Sequence, residues 1–166
     1  MNKQPNSRYC FLCGIENPIG LNLRFYEDDQ GRVVTHFAPG EEHQGFPGVL
    51  HGGLISALLD ETIGRTLTAN DQWAMTIELR VRFHRPVPLG ETLTVTGEMR
   101  RLRSRTMEGY GELRLADGTL GASAEATYYI ISMDQTEAFR AELGTWRVIP
   151  EEEEPVGGLE RAPGAP

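Results

Sequence analysis

The sequence of 166 residues is poor in cysteine, in cationic charge and in long apolar runs, and each scarcity argues against a class of protein. Two cysteines, Cys10 and Cys13, are too close in sequence to staple a domain, which argues against a secreted disulfide scaffold. Lysine and arginine number 16 against 24 acidic residues, and a net charge of −8 argues against a nucleic-acid partner. No segment approaches the ~20 apolar residues that a membrane-spanning helix needs. With no amino-terminal signal sequence apparent, we expect a cytoplasmic protein without a membrane partner.

A single domain accounts for most of the chain. A composition of 39% hydrophobic and 24% charged residues is typical of a globular protein with a core. Residues 1–8 are polar and are predicted to be loose. Residues 150–166 combine a run of glutamates with proline and glycine, which indicates a disordered acidic tail. The domain is therefore expected to cover residues 9–149.

Hydrophobic periodicity predicts an α+β fold. Residues 54–69 have the length and composition of a helix, and after Asn70 the period changes to two. From Met75 to His84 apolar and polar residues alternate, as in a strand with one buried face. Two strands are predicted before the helix and four after it, with short turns that favour an antiparallel sheet. A short final helix is predicted at 136–143.

Two carboxylates interrupt the apolar helix, and their surroundings differ. Glu61 lies one turn before Arg65, an ordinary ion pair worth ~0.3–0.5 kcal/mol. Asp60 instead lies on a face of the predicted helix whose other side chains are small and apolar. A buried carboxylate needs hydrogen-bond donors if it is to stay ionised. Asp60 is therefore either a structural acid that reaches a strand donor or lies at an exposed edge, or a base or nucleophile in a dry pocket.

Two glycines stand at the predicted start of this helix, in the segment 51–53. They leave the first N–H groups unobstructed, at the positive end of the helix dipole where an oxyanion can be stabilised, although a tight turn also favours glycine. Gly52 and Asp60 are complementary parts for carbonyl chemistry, but the helix between them rises about 12 Å. Two antiparallel copies of the helix would bring the acid of one chain to the glycines of the other. The spacing therefore favours a two-fold dimer.

The sequence resembles the hotdog-fold thioesterases, specifically the PaaI-like branch of the 4-hydroxybenzoyl-CoA thioesterase superfamily. The resemblance rests on the segments CFLCGIENPIGLNLRF, HQGFPGVLHGGLISALLDETIG and TIELRVRFHRPVPLGETLTVTGE. It implies a hotdog fold, in which an antiparallel sheet of about six strands wraps one long helix. It also implies a homodimer or a dimer of dimers that hydrolyses an acyl-CoA thioester to a free acid and CoA. We expect no cofactor.

The resemblance implies roles for residues at matching positions. The Gly52 N–H would polarise the thioester carbonyl, Asp60 of the other subunit would be the base or nucleophile, and His51 would position the loop or the carbonyl. Gln44 stands one residue away from the position at which the family often has an amide side chain. Thr76 matches a hydroxyl at the start of the strand after the helix, although an ordinary strand threonine would look the same.

Coenzyme A carries phosphates, so cationic donors should line its path. Arg85, Arg103 and Arg105 are the candidates, together with Gly53 in the substrate-binding loop. A solvated charged face is the alternative for any single arginine.

The segment from Cys10 to Cys13 allows two interpretations. A Cys-x-x-Cys pair can be half of a zinc site, but tetrahedral zinc needs four ligands, and His36 or His43 would have to complete it. The alternative, which we adopt, is a pair of small buried apolar residues. We therefore expect no metal.

Two other functions remain open. A hotdog protein can bind acyl-CoA without cleaving it and act as a sensor. The chain has no helix-turn-helix segment that would transmit the signal of such a sensor to DNA. Hydration of an enoyl thioester is the other, but it generally needs an Asp/His pair on one loop, which the spacing of His51 and Asp60 fits poorly.

Overall fold

The computed structural model describes residues 1–151, so nearly all of the predicted acidic tail lies outside the described residues. The helices are Gly52–Gly64 (α1) and Met133–Glu142 (α2), with 3-10 turns at Glu41–His43 and Arg65–Asn70. The strands are Asn2–Lys3 (β1), Asn6–Ser7 (β2), Phe25–Glu27 (β3), Val33–Phe37 (β4), Gln44–Phe46 (β5), Val49–Leu50 (β6), Ala74–Phe83 (β7), Leu93–Leu102 (β8), Thr106–Arg114 (β9), Leu120–Ile130 (β10) and Trp146–Arg147 (β11).

One antiparallel sheet of seven strands, in the order β1-β3-β4-β8-β9-β10-β7, dominates the fold. Six of these strands are the predicted ones, and the amino-terminal β1 is the seventh. β11 pairs with β2, and β5 pairs with β6, in two small additional sheets. The α+β prediction of one long helix against an antiparallel sheet is confirmed.

The amino terminus differs from the prediction, because residues 1–8 are not loose. β1 pairs with β3, and Gln4, Asn6 and Ser7 are buried. The Asn6 amide donates to the backbone oxygens of Cys13 and Leu23 at 2.7 and 2.9 Å. The polar side chains of this segment satisfy buried backbone carbonyls, so their polarity does not indicate exposure to water.

α1 begins at Gly52, two residues before the predicted start, and tightens into a 3-10 turn after Gly64. Its residues Leu58, Leu59 and Ile63 are fully buried. The helix packs against the sheet and contacts strands β4, β7, β8, β9 and β10. The sheet thus covers the helix that the sequence predicts to be apolar on most sides.

Glycines on the inner face of the sheet allow this close packing. Gly97 of β8 pairs with Gly111 of β9, opposite the last turn of α1. A Cβ atom at Gly97 would lie 2.5 Å from the Thr62 carbonyl oxygen, and one at Gly111 would lie 2.8 Å from the Ile63 side chain. Any larger residue would therefore push the helix away from the sheet.

β7 is an edge strand, and it is more exposed than its alternating pattern predicts. It pairs with β10 on one side only, and Met75, Ile77 and Phe83 are 57%, 62% and 53% exposed. These residues were predicted to face the core, so this part of the prediction is wrong for the single chain. The sheet ends at β7, and within residues 1–151 no further element covers the outer part of this face.

Among the described residues, no helix has both the length and the apolar character needed to cross a membrane.

Candidate active site

The Asp60 carboxylate on α1 is held through one of its oxygens. Oδ1 accepts a hydrogen bond from the Thr76 hydroxyl at 2.8 Å and another from the Tyr128 phenol at 3.0 Å. The same phenol lies 2.7 Å from the backbone oxygen of Asp60. Oδ2 has no hydrogen-bond partner within residues 1–151. The arrangement fixes the orientation of the carboxylate and leaves one oxygen available.

Tyr128 was not identified from the sequence, although it is the most buried donor of this group, with 2% of its surface exposed. Burial, reinforced by the negative charge of Asp60, raises the pKa of the Tyr128 phenol, which keeps it protonated as a donor. A signal was available in the sequence. The alternation along β10 turns Ala122, Ala124, Ala126 and Tyr128 toward the helix, so a phenol on this face should have been paired with a helix acid.

His51 is the N-cap of α1. Its backbone has φ −61° and ψ 130°, and its ring Nδ1 accepts a hydrogen bond from the Gly53 N–H at 2.9 Å. The Gly53 N–H is thereby occupied, whereas the Gly52 N–H has no acceptor among the described residues. The Phe83 ring lies over this position, since a Cβ atom at Gly52 would be 3.4 Å from the Phe83 ring. The helix start therefore offers one free donor beside an aromatic side chain.

Gln44 is exposed on β5, opposite Leu50, and the structure does not bring it to Asp60 within one chain. Its neighbour Gly45 packs directly on the N-cap, because a Cβ atom at Gly45 would lie 3.1 Å from the Cα atom of His51. A side chain at this position, where the resemblance implies an amide, would therefore require His51 to shift by a few tenths of an ångström.

Asp60 and Gly52 lie near opposite ends of α1, and the residues of β7 that contact them lie near opposite ends of that strand. Thr76, close to the start of β7, contacts Asp60, and Phe83, at the end of β7, contacts Gly52. One chain therefore holds two separate candidate half-sites, one with Asp60 and Thr76 and the other with Gly52 and Phe83.

The arginines predicted to bind CoA fall at these same two ends. The Arg105 backbone oxygen accepts from the Ile130 N–H at 2.9 Å, at the end of β10 that pairs with the start of β7. The Arg85 backbone N–H lies 3.3 Å from the Gly121 oxygen, at the opposite end of β10. Arg103 lies 3.5 Å from the Glu108 carboxylate. All three side chains are exposed, and the structure does not bring Arg85 to the other two within one chain.

A cavity of about 260 Å³ opens beside Asp60. Asp60, Thr76 and Tyr128 line one part of it, and the rings of Trp73 and Trp146, 5.1 Å apart in an edge-to-face arrangement, line another. The remaining wall contains a group that was not predicted as a unit. It consists of Cys10, Cys13, Glu61 and Arg65.

The two cysteines are not simple apolar filling. Cys13 is buried, Cys10 is half-buried, and their sulfurs and a Glu61 carboxylate oxygen all lie within 4.8 Å of one another. A hydrogen bond from Cys10, opposed by burial and helped by the charge of Arg65, lowers the pKa of the Cys13 thiol. The same hydrogen bond raises the pKa of Cys10.

The histidines considered as partners of this pair lie elsewhere. His36 is within 3.3 Å of the Thr94 hydroxyl on the sheet, and His43 accepts a hydrogen bond from the Gly40 N–H. Glu61, which approaches the cysteines instead, also makes the predicted pair with Arg65 at 2.8 Å. This pair is not an ordinary surface pair, because Arg65 is only 4% exposed.

Comparisons with known proteins agree on one family. The family model of the thioesterase superfamily matches residues 47–122. A Saccharolobus solfataricus protein named "Putative esterase SSO2140" is 35% identical over 113 residues, which cover 67% of this chain and 80% of that protein. Acyl-coenzyme A thioesterase THEM4 of Bos taurus is 31% identical over 125 residues, which cover 75% of this chain. The structure of the E. coli PaaI protein matches with a TM-score of 0.63 and 20% identity, over 68% of this chain and 81% of that one.

The lengths of these relatives differ from that of this chain. The matched part of the bovine relative is 51% of its length, so the chain spans about half of that protein. The matched region includes the segment from His51 to Thr76, which contains the helix start and Asp60.

Proposed function

This chain belongs to the thioesterase superfamily and has its hotdog fold, and from this premise we propose that it hydrolyses an acyl-CoA thioester to a free acid and coenzyme A. The observation that carries the proposal is the Asp60 carboxylate, held through Oδ1 and open to a cavity on its other side. The similarity to a named acyl-CoA thioesterase supports the substrate class. A cytoplasmic location stays a prediction.

Asp60 is the proposed base or nucleophile. Thr76 and Tyr128 orient the carboxylate without blocking both oxygens, so Oδ2 is free to accept a proton from water or to attack the carbonyl carbon. In the first route the water proton passes to Oδ2 as hydroxide adds to the thioester carbonyl, and Asp60 then returns this proton to the departing CoA thiolate. In the second, Oδ2 forms an anhydride as the thiolate leaves, and water then hydrolyses the anhydride. In the second route, heavy-oxygen water that attacks the aspartyl carbon of the anhydride leaves its label in the Asp60 carboxylate after a single turnover, whereas the first route places the label in the product acid alone.

The Gly52 N–H is the proposed donor to the developing oxyanion. It is free at the positive end of α1, because His51 uses its ring to cap the next N–H group rather than this one. One donor of this kind contributes about 3 kcal/mol to the transition state. In this proposal His51 fixes the shape of the helix start, and Gly53 supports it through its bond to His51.

The two half-sites meet, in our proposal, through a two-fold dimer in which the free edges of two β7 strands pair antiparallel. Such pairing brings the Thr76 end of one strand to the Phe83 end of its partner. Asp60 of one protomer would then face Gly52 of the other, which supplies the arrangement that the 12 Å helix rise denies to a single chain. The exposed apolar residues Met75 and Ile77 on the same strand support burial there.

The same dimer would bring Arg85 of one chain close to Arg105 of the other. Arg105 lies at the Asp60 end of the sheet and Arg85 at the Gly52 end, so two-fold pairing would bring them from different chains to one site. We propose that Arg85, Arg103 and Arg105 contact the phosphates of coenzyme A.

The decisive experiment is a thiol-release assay on a panel of aryl and fatty acyl-CoA thioesters. We expect release by the parent protein and a loss of at least about 100-fold in kcat for Asp60→Asn. Turnover of Asp60→Asn within a few-fold of the parent would remove Asp60 from the mechanism. Tight binding of acyl-CoA without thiol release would instead favour the non-catalytic binding protein.

A further inference from the structure

A second chemical site shares the cavity with Asp60 but is not used by the proposed hydrolysis. The sulfurs of Cys10 and Cys13 and a carboxylate oxygen of Glu61 lie within 4.8 Å of one another. Ligand atoms around a tetrahedral ion stand about 3.5–4 Å apart, since each lies 2.0–2.3 Å from the metal. Small side-chain rotations would therefore bring these three atoms onto one ion.

From this geometry we propose that Cys10, Cys13 and Glu61 bind one zinc ion, with the fourth position open to the cavity. Two thiolates and a carboxylate are ligands that suit Zn²⁺ better than Mg²⁺ or Ca²⁺, which prefer oxygen. Three protein ligands leave a coordination position for water, and the three residues all line the cavity.

The charges of the cluster balance when the ion binds. With Zn²⁺ bound, the Glu61 carboxylate and the two thiolates would carry three negative charges, against two positive charges on the ion and one on the buried Arg65 guanidinium. Zn²⁺ displaces to solvent the protons that the two thiols hold, and the cluster with its ion has no net charge. Arg65 consequently offsets the excess negative charge of a Cys₂Glu zinc site instead of repelling the ion.

Outer contacts already orient both sulfurs. The Leu12 backbone N–H lies 3.4 Å from the Cys10 sulfur, and the Ser7 hydroxyl lies 3.4 Å from the Cys13 sulfur. Donors to sulfur are the outer interactions that metal-bound thiolates use. Gly14, directly after the pair, has no room for a side chain, because a Cβ atom there would collide with the Cys10 carbonyl oxygen.

The ion would have a defined structural role. It would join the amino-terminal segment, through Cys10 and Cys13, to α1 through Glu61, the residue next to Asp60. It would thus fix one wall of the proposed acyl-CoA cavity, and its loss would loosen that wall while leaving the sheet in place.

The test uses the full chain, reduced with a phosphine, freed of metal with a chelator and titrated with Co²⁺ under inert gas. We expect one equivalent to bind with the intense near-ultraviolet absorption of thiolate-to-cobalt charge transfer, and Zn²⁺ to displace it. Zn²⁺ should also protect both thiols from alkylation, as read by mass spectrometry, and should raise the melting temperature. A reduced, folded chain that gives no such absorption and no protection would overturn the proposal.

Three variants assign the ligands. Cys10→Ser, at a half-buried position, should weaken Co²⁺ binding by more than about tenfold and reduce the absorption per ion. Glu61→Gln, which can still accept a hydrogen bond from Arg65, should weaken binding by more than about tenfold while the thiolate absorption per ion is retained. Glu98→Gln, which alters an ion-paired glutamate on the sheet, is the matched control and should bind as the parent does. Unchanged affinity in Glu61→Gln would remove Glu61 from the site. If Cys10→Ser does not fold, the protection of the parent thiols by Zn²⁺ decides the question.

Discussion

The Tyr128 phenol is bonded to Asp60 twice, at 2.7 Å from its backbone oxygen and at 3.0 Å from its carboxylate. One side chain of β10 thus fixes both the last turns of the helix and the direction in which the acid points. The burial of Tyr128 keeps water away from these bonds, which makes them stronger than the same bonds on a surface.

Tyr128→Phe removes both bonds while keeping the ring. A hydrogen bond to a charged group contributes about 1.5–3 kcal/mol, so we expect kcat to fall roughly 10- to 100-fold. Tyr129→Phe, the neighbour on the exposed face, is the control. An unchanged kcat with a lower melting temperature would reduce Tyr128 to a structural role.

Asp60 and Thr76 could be selected from the sequence, but Tyr128 could not be selected with the same ease. The first two stand out because a carboxylate breaks an apolar helix and a hydroxyl follows at the start of a strand. Tyr128 belongs to a strand some 50 residues further on, and its contact with the helix depends on the register of β10 against β7. Periodicity predicts which face a residue occupies, but not the partner that the register places opposite it.

Two substitutions at Gly52 distinguish the role of its backbone N–H from the role of the space around it. Gly52→Pro removes the N–H, and the conformation suits proline, because His51 is extended and Gly52 is the first helical residue. We expect kcat to fall about 100-fold with little loss of stability. Gly52→Ala keeps the N–H and places its Cβ atom 3.4 Å from Phe83, an ordinary contact. If the two variants lose activity equally, the space at this position matters and the donor does not.

The fold was predictable in outline, and the exceptions have physical causes. The helix and six strands follow from local periodicity, whereas the seventh strand and the buried Asn6 depend on contacts between distant segments. β7 was predicted to bury one face, but Met75 and Ile77 are exposed in the single chain. Alternation indicates that a face is covered without saying whether the same chain covers it, and we propose that a second protomer does so.

A substitution at Gly97 tests how closely the helix packs on the sheet. Gly97→Ala would place a Cβ atom 2.5 Å from the Thr62 carbonyl oxygen, a backbone atom that cannot rotate away. We expect a loss of about 1–3 kcal/mol in the free energy of unfolding, measured by urea denaturation. Gly52→Ala, with its ordinary 3.4 Å contact, should change this free energy by much less. Equal stability of Gly97→Ala and the parent would contradict the close packing.

The exposed arginines can be tested with a substrate that lacks phosphates. Arg105→Gln and Arg85→Gln should each raise the KM for an acyl-CoA by about three- to tenfold, since one phosphate contact contributes about 1 kcal/mol at an exposed site. The KM for the matching acyl-pantetheine, which has the thioester but no nucleotide, should stay the same. Arg32→Gln alters an arginine paired with Asp28 on a distant turn and serves as the control. A similar increase for both substrates would mean that these arginines shape the fold rather than bind phosphate.

The proposed sharing of one site between two chains predicts rescue between two inactive proteins. Asp60→Asn and Gly52→Pro should each be inactive as homodimers, because every site lacks either the acid or the donor. When the two are unfolded together and refolded at equal concentrations, half of the dimers are mixed, and each mixed dimer has one site with an intact Asp60 facing an intact Gly52. We therefore expect thiol release to recover to about a quarter of the parent rate. Co-refolding Asp60→Asn with Thr76→Val is the matched control. Both changes fall in the same half-site of one chain, so every site of a mixed dimer carries one of them and no activity should be recovered. If acid and donor instead belonged to one chain, Asp60→Asn mixed with Gly52→Pro would leave every site damaged and no activity would return.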